Sequence, residues 1–238
     1  MSKPTFNFKV NTQADALKES GAGGQFISNS GIYPVTINFL SINQSSKGSY
    51  NYALNIDYNG NSQTIYGPTI QNNDGSENVI GSRSLNKVCV IAGLDSGAAL
   101  NLEEEEHTVG KDNEVKTFVV ATDLSGLECK LQLKRVYDKY KGEIKPKLNI
   151  ESFFRMSDGA SADEIVAEAN GKDVTFGAQL AKIEENEATT QPRYGKDEDK
   201  NQVTEEEVAA FLEAKKSGNS TTTSAPTETK QVKKNLFA

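Results

Sequence analysis

Between Lys134 and Lys141 the chain reads Lys-Arg-Val-Tyr-Asp-Lys-Tyr-Lys, four cations interleaved with Tyr137 and Tyr140. Cations bind phosphates by releasing condensed counterions, and exposed aromatic rings accept unstacked bases, so this alternation suits a groove that tracks a single nucleic-acid strand. The competing reading is an exposed charged hairpin whose tyrosines lie flat on the fold. Upstream, Lys130 and Lys134 share a strand face, and Lys116 falls beside them if its strand pairs with theirs. Lys145 and Lys147 follow the turn at Lys141-Gly142. Tyr66 is opposite in phase to Ile65 and is expected to point outward. The candidate nucleic-acid-binding set is therefore Tyr66, Lys116, Lys130, Lys134, Arg135, Tyr137, Lys139, Tyr140, Lys141, Lys145 and Lys147.

The net charge of -7 argues against an anionic partner until its distribution is considered. From Lys130 to Arg155, eight basic residues face three acids, so the segment carries +5 and the remainder -12. The local field decides what such a surface attracts.

The elements that must hold these residues are strands. Val35, Ile37 and Phe39 alternate with polar or smaller residues in Gly31–Asn43, the period of a half-buried strand. After a turn at Ser45–Gly48, a second strand over Ser49–Tyr58 places Tyr50, Tyr52, Leu54, Ile56 and Tyr58 on one face, where a core role is favoured for the tyrosines. Asn59-Gly60 predicts a tight hairpin into a third strand over Ser62–Tyr66. Leu85, Val88, Cys89 and Ile91 then suit a short helix within Ser84–Ala92. Glu103–Glu106 is expected to be a solvated loop, followed by strands over Glu114–Thr122, from Leu127, and over Leu148–Phe154.

Three strands, a small helix and further strands is the plan of the OB-fold, a partly open antiparallel β-barrel with a face that binds single strands or sugars. With Gly31-Ile32-Tyr33-Pro34-Val35 opening the first strand, the Ser46-Lys47-Gly48 turn and a long polar C-terminal region, the chain resembles the single-stranded DNA-binding proteins of bacteriophages. The resemblance covers roughly residues 25 to 155. It implies sequence-independent binding of single-stranded DNA in phage replication, recombination or repair, in the host cytoplasm. No secretory signal or membrane-length apolar run is seen.

The predicted organisation is an N-terminal arm (1–30), an OB-like domain (31–183) and a flexible acidic tail (184–238). Residues 184–213 hold ten acids against three bases, too polar to offset chain entropy by burial. The Thr204–Glu207 capping box leads into Val208, Phe211 and Leu212, an amphipathic turn or two. Beyond a Ser/Thr linker, Lys233, Lys234, Leu236 and Phe237 form an expected docking peptide. The resemblance suggests replication proteins or host RNA polymerase as its partners. A polyanion tethered near a basic groove competes with DNA at high effective concentration.

Catalysis is not expected. The sequence contains no phosphate-binding loop, dinucleotide fingerprint, Cys-x-x-Cys or His-Glu-x-x-His, and its single histidine, His107, cannot complete most His-dependent sites. Cys89 and Cys129 suit buried thiols. No cofactor or metal is expected, and oligomeric state is not encoded in any pattern. The alternative function is that of a β-rich phage virion or decoration protein without nucleic-acid binding. A carboxylate-dependent nuclease would need Asp57, Asp95 and Glu114 to meet.

Overall fold

A computed structural model describes residues 26–110 and 114–216. Most of the expected N-terminal arm, and the C-terminal peptide with Lys233, Lys234, Leu236 and Phe237, lie outside the described residues. The chain divides into two compact units, one running to Val136 and resuming over Lys147–Arg193, the other formed by Tyr137–Pro146 and the chain from Tyr194.

The first unit is an OB-like antiparallel β fold organised around β1 (Gly31–Gln44). One edge of β1 pairs with β2 (Tyr50–Tyr58), which pairs with β3 (Asn61–Gln71). The hairpin turn forms as its residues require, with positive φ of 52° at Asn59 and 78° at Gly60. The other edge of β1 is divided: Gly31–Ile37 pairs with β6 (Leu127–Tyr140), and Ser41-Ile42 pairs with β5 (Glu114–Ala121). β6 continues to β7 (Glu143–Arg155), and β5 to β4 (Leu102–Val109). No pairing among the described residues joins β3 to β4 or β7, so hydrogen bonds do not close the barrel.

A β-bulge decides the faces of β1. Ile37 opposes Ile56, but the next paired residue is Phe39 opposite Asn55. The extra residue turns Phe39 away from the side that Ile37 faces. Ile37 and Leu40 enter the core with Tyr52, Leu54 and Ile56, while Phe39 points to the opposite face. The expected alternation of Val35, Ile37 and Phe39 on one face therefore ends at the bulge. Strict period-2 reading carries no information about an inserted residue.

The helix α1 (Val79–Ile91) covers one side of this core, capped by the Asn78 side chain, which accepts from the Gly81 N–H. It starts five residues before the expected Ser84. Gly81 permits a close approach to β3: a Cβ there would sit 1.8 Å from the Thr69 carbonyl oxygen. Tyr52 is fully buried against Gly67, where a Cβ would meet its ring at 2.4 Å, and its hydroxyl lies 2.6 Å from Ser84 Oγ. Burial pushes the Tyr52 hydroxyl up to about 12. Burial likewise pushes the Cys129 thiol up to about 12, and both cysteines are free thiols.

The four glutamates expected in a loop lie instead in β4. Glutamate is depleted in strands, but an edge strand exposed on both faces leaves its side chains hydrated, and charge on an edge discourages further pairing. After β7, α2 (Ala162–Ala169) begins with a capping box between Ser161 and Glu164. The Glu164 carboxylate also accepts from the N–H groups of Gly177 and Gln179, tying α2 to α3 (Ala178–Glu184).

The second unit contains the end of β6 and the start of β7, reversing at Lys141-Gly142 with φ of 51° and 77°. Residues from Tyr194 lie along it: the Gly195 N–H donates to Tyr137 O, and the Lys139 N–H donates to Lys196 O. The last described helix, α4 (Glu205–Lys216), begins with reciprocal bonds between Thr204 and Glu207. Tyr137, Val203 and Val208 form its small core, with Ile144, Tyr194 and Phe211 packed around them. The region expected to be a flexible tail from Glu184 thus forms elements as far as Lys216, because its few apolar residues are spaced to cover the hairpin.

Among the described residues, no helix is long and apolar enough to cross a membrane.

Candidate nucleic-acid interface

The bulge that turns Phe39 outward creates the floor of a groove in the first unit. Cross-strand rows run over the outer face of β1, β2 and β3: Phe39, Asn55 and Thr64 in one, Ser41, Ala53 and Tyr66 in the next. Ser41 and Ala53 are small, so a depression opens between larger neighbours. Val109 of β4 and Lys116 and Phe118 of β5 complete a cavity of about 180 Å³.

Aromatic groups dominate its rim. Tyr66 is 72% exposed, the most accessible tyrosine among the exposed large apolar side chains. Phe39 and Phe118 are 5.3 Å apart between ring centroids, and Phe39 stacks on His107 at 3.9 Å and 17°. His107 Nε2 lies 2.7 Å from Glu105 Oε2, which fixes the imidazole over Phe39. Lys116 supplies the groove's cation. It forms a 2.6 Å ion pair with Glu114 and is more than half exposed; the hydrogen bond to Glu114 raises the Lys116 pKa above its ordinary value. An exposed pair of this kind contributes little to folding and can be exchanged for a phosphate.

Tyr66 and Lys116, far apart in sequence, therefore meet in one groove. The other candidates do not join them there. β5 pairs with β4 and β1, so Lys116 lies opposite His107 rather than beside Lys130 and Lys134. The continuous cationic path across paired strands is not formed, because β5 and β6 occupy successive lengths of the same β1 edge. Lys130 is half-buried on β6 opposite Pro34. Lys134 Nζ donates to Ala188 O at 2.5 Å, and burial, reinforced by Arg193, lowers its pKa. The Arg135 N–H donates to Ser30 Oγ at 2.9 Å. Lys147 is an exposed residue of β7.

In the second unit the expected stacking platform is divided. Tyr137 is 7% exposed and belongs to the small core, so its ring face is covered. Tyr140 is 52% exposed, with Lys141 Nζ 5.4 Å from its ring centroid. Lys139 forms a 2.6 Å ion pair with Glu207, the Lys141 N–H donates to Glu198, and Lys145 pairs with Glu143. Of these cationic side chains, Lys139 is engaged by an acid of the chain's own C-terminal region and Lys145 by an acid of the hairpin itself, while the Lys141 contact to Glu198 is made by its backbone. The interleaving of tyrosines with cations made Tyr137 a stacking candidate, but Val136 and Tyr137 are successive buried residues, so the strict alternation of β6 breaks where its end enters the second unit.

Sequence reasoning missed Phe39, Phe118, Asn43 and Asn55. The pairing of β5 with β1 and the bulge bring them together, and neither leaves a local signal. One clue lay in the run of polar residues on the second face of β2, Asn51, Asn55 and Asp57, interrupted by the small Ala53. Among the described residues, no three His, Cys, Asp or Glu side chains converge where a metal ion could be held. No family model matches the chain, and no curated protein matches it.

Proposed function

We propose that this protein binds single-stranded DNA without catalysing a reaction on it, as the phage proteins it resembles do. The observation that carries the reading is the groove on the outer face of β1–β3, where the exposed Tyr66 ring lies with Phe118 and Lys116 around a polar floor. It supplies a stacking platform and a cation in a cleft too narrow for a duplex to enter with its bases paired. The second and third strands of OB-like folds offer the same face to single strands. Replication, recombination or repair in the host cytoplasm is the corresponding setting, and the C-terminal peptide ending in Leu236-Phe237-Ala238 is the proposed docking segment for replication or transcription proteins, host RNA polymerase among them.

Fluorescence anisotropy with a labelled mixed-sequence oligonucleotide, presented as single strand and as duplex, tests this reading. The single strand should bind far more tightly, with affinity falling as salt rises. Equal binding of both forms would leave only non-specific electrostatics, and absence of binding would remove the function.

A further inference from the structure

The floor of the groove is more than a flat platform for stacking. Asn55 is only 6% exposed. Its Oδ1 accepts from Asn38 Nδ2 at 2.8 Å and from Ser62 Oγ at 2.9 Å. Two donors on the oxygen fix the amide's orientation, and among the described residues its Nδ2 makes no hydrogen bond. The amino group is therefore held as an oriented donor on a largely buried residue that lines the cavity. Around it, Ala53, Val109 and Phe118 provide apolar walls. The cavity of about 180 Å³ is smaller than the roughly 300–1,000 Å³ typical of drug-sized ligands, so it suits one ring system rather than a stack of bases.

We propose that this cavity is a reading pocket for one nucleobase of the bound strand, thymine above cytosine, with the base O4 carbonyl accepting from Asn55 Nδ2 and the adjacent methyl group against the apolar walls. This inference rests on the single-stranded DNA reading and departs from sequence-tolerant binding at one position. Thymine presents carbonyl acceptors and a methyl group. Cytosine replaces one carbonyl with an amino donor and lacks the methyl. A donor facing a donor leaves both without partners, which is how a polar site rejects a near-isosteric ligand.

The test is anisotropy of the full chain with oligo-dT and oligo-dC of equal length, beside Asn55→Asp and Asn38→Ala variants checked for folding by circular dichroism. The native chain should favour dT by about tenfold. Asn55→Asp retains both hydrogen bonds on Oδ1 but replaces the donor with an acceptor, so the dT-to-dC ratio should collapse or invert. A general charge penalty weakens both oligonucleotides and leaves the ratio intact. Asn38→Ala alters an exposed residue, releases one constraint on the amide and should reduce the ratio about threefold. If Asn55→Asp does not fold, the native ratio and Asn38→Ala decide the question. Equal native affinities for dT and dC, or a ratio unmoved by the folded variants, would overturn the base-reading pocket while the DNA-binding function stands. Failure of both oligonucleotides and of the mixed sequence to bind would overturn that function instead.

Discussion

Of the candidate stacking tyrosines, Tyr66 is the most exposed and Tyr137 the least, 72% and 7%, and their replacement by Ala should separate binding from stability. A largely exposed ring contributes little to folding, so Tyr66→Ala should leave unfolding free energy within about 0.5 kcal/mol of the native value. Losing one stacked base costs about 1–3 kcal/mol of binding, or roughly 5- to 150-fold in Kd. Tyr137→Ala removes the largest side chain from a core whose other buried members are Val203 and Val208. Large aromatic truncations cost about 3–5 kcal/mol, more than so small a cluster can absorb while retaining α4. Hydrogen exchange over residues 205–216 should therefore accelerate, while affinity for single-stranded DNA changes little. Anisotropy titrations, thermal unfolding and hydrogen exchange on both variants provide the measurements. A Tyr66→Ala chain that binds normally would refute the groove as the interface. Impaired binding in Tyr137→Ala with α4 still protected would return the stacking role to the hairpin.

Lys116→Ala should weaken DNA binding and flatten the slope of log K against log salt by about 0.7, the change expected when one phosphate is no longer neutralised, whereas Glu114→Gln, which frees Lys116 from its ion pair, should strengthen binding at low salt; an unchanged slope would place the phosphate path elsewhere. Gly81→Ala should destabilise the first unit by about 3 kcal/mol in chemical denaturation, because its new Cβ meets the Thr69 backbone, which cannot rotate away; near-native stability would show that α1 and β3 part without cost. Burial raises the Glu164 pKa, but the N–H donors of Ser161, Gln179 and Gly177 outweigh it and hold the carboxyl below its ordinary value. A carboxyl held low in the folded state contributes stability above its unfolded pKa and loses it as pH falls through the folded value. Native protein should therefore lose stability on acidification below about pH 4.5, more steeply than Glu164→Gln, and identical profiles would remove Glu164 from that loss.

Elements with a local cause were legible in the sequence. Alternation in Tyr50–Tyr58, the positive-φ pair Asn59-Gly60 and the Thr204–Glu207 capping box each act within a few residues, and each forms the element its chemistry predicts. The outward direction of Tyr66 also followed from strand phase alone. The groove required long-range information. The bulge at Ile37/Phe39 inserts one residue and so reverses the face of Phe39, and pairing of β5 with β1 and β4 brings Lys116 to Tyr66 instead of to Lys130. The polar chain from Tyr194 to Lys216 reads as a tail because each segment alone has too little apolar area to fold. Its placement along the β6–β7 hairpin was decided in the tertiary structure, where Val203, Val208 and Phe211 gather on Tyr137. Local propensity acts over single turns and alternations, whereas strand register and the burial of sparse apolar residues depend on partners distant in sequence.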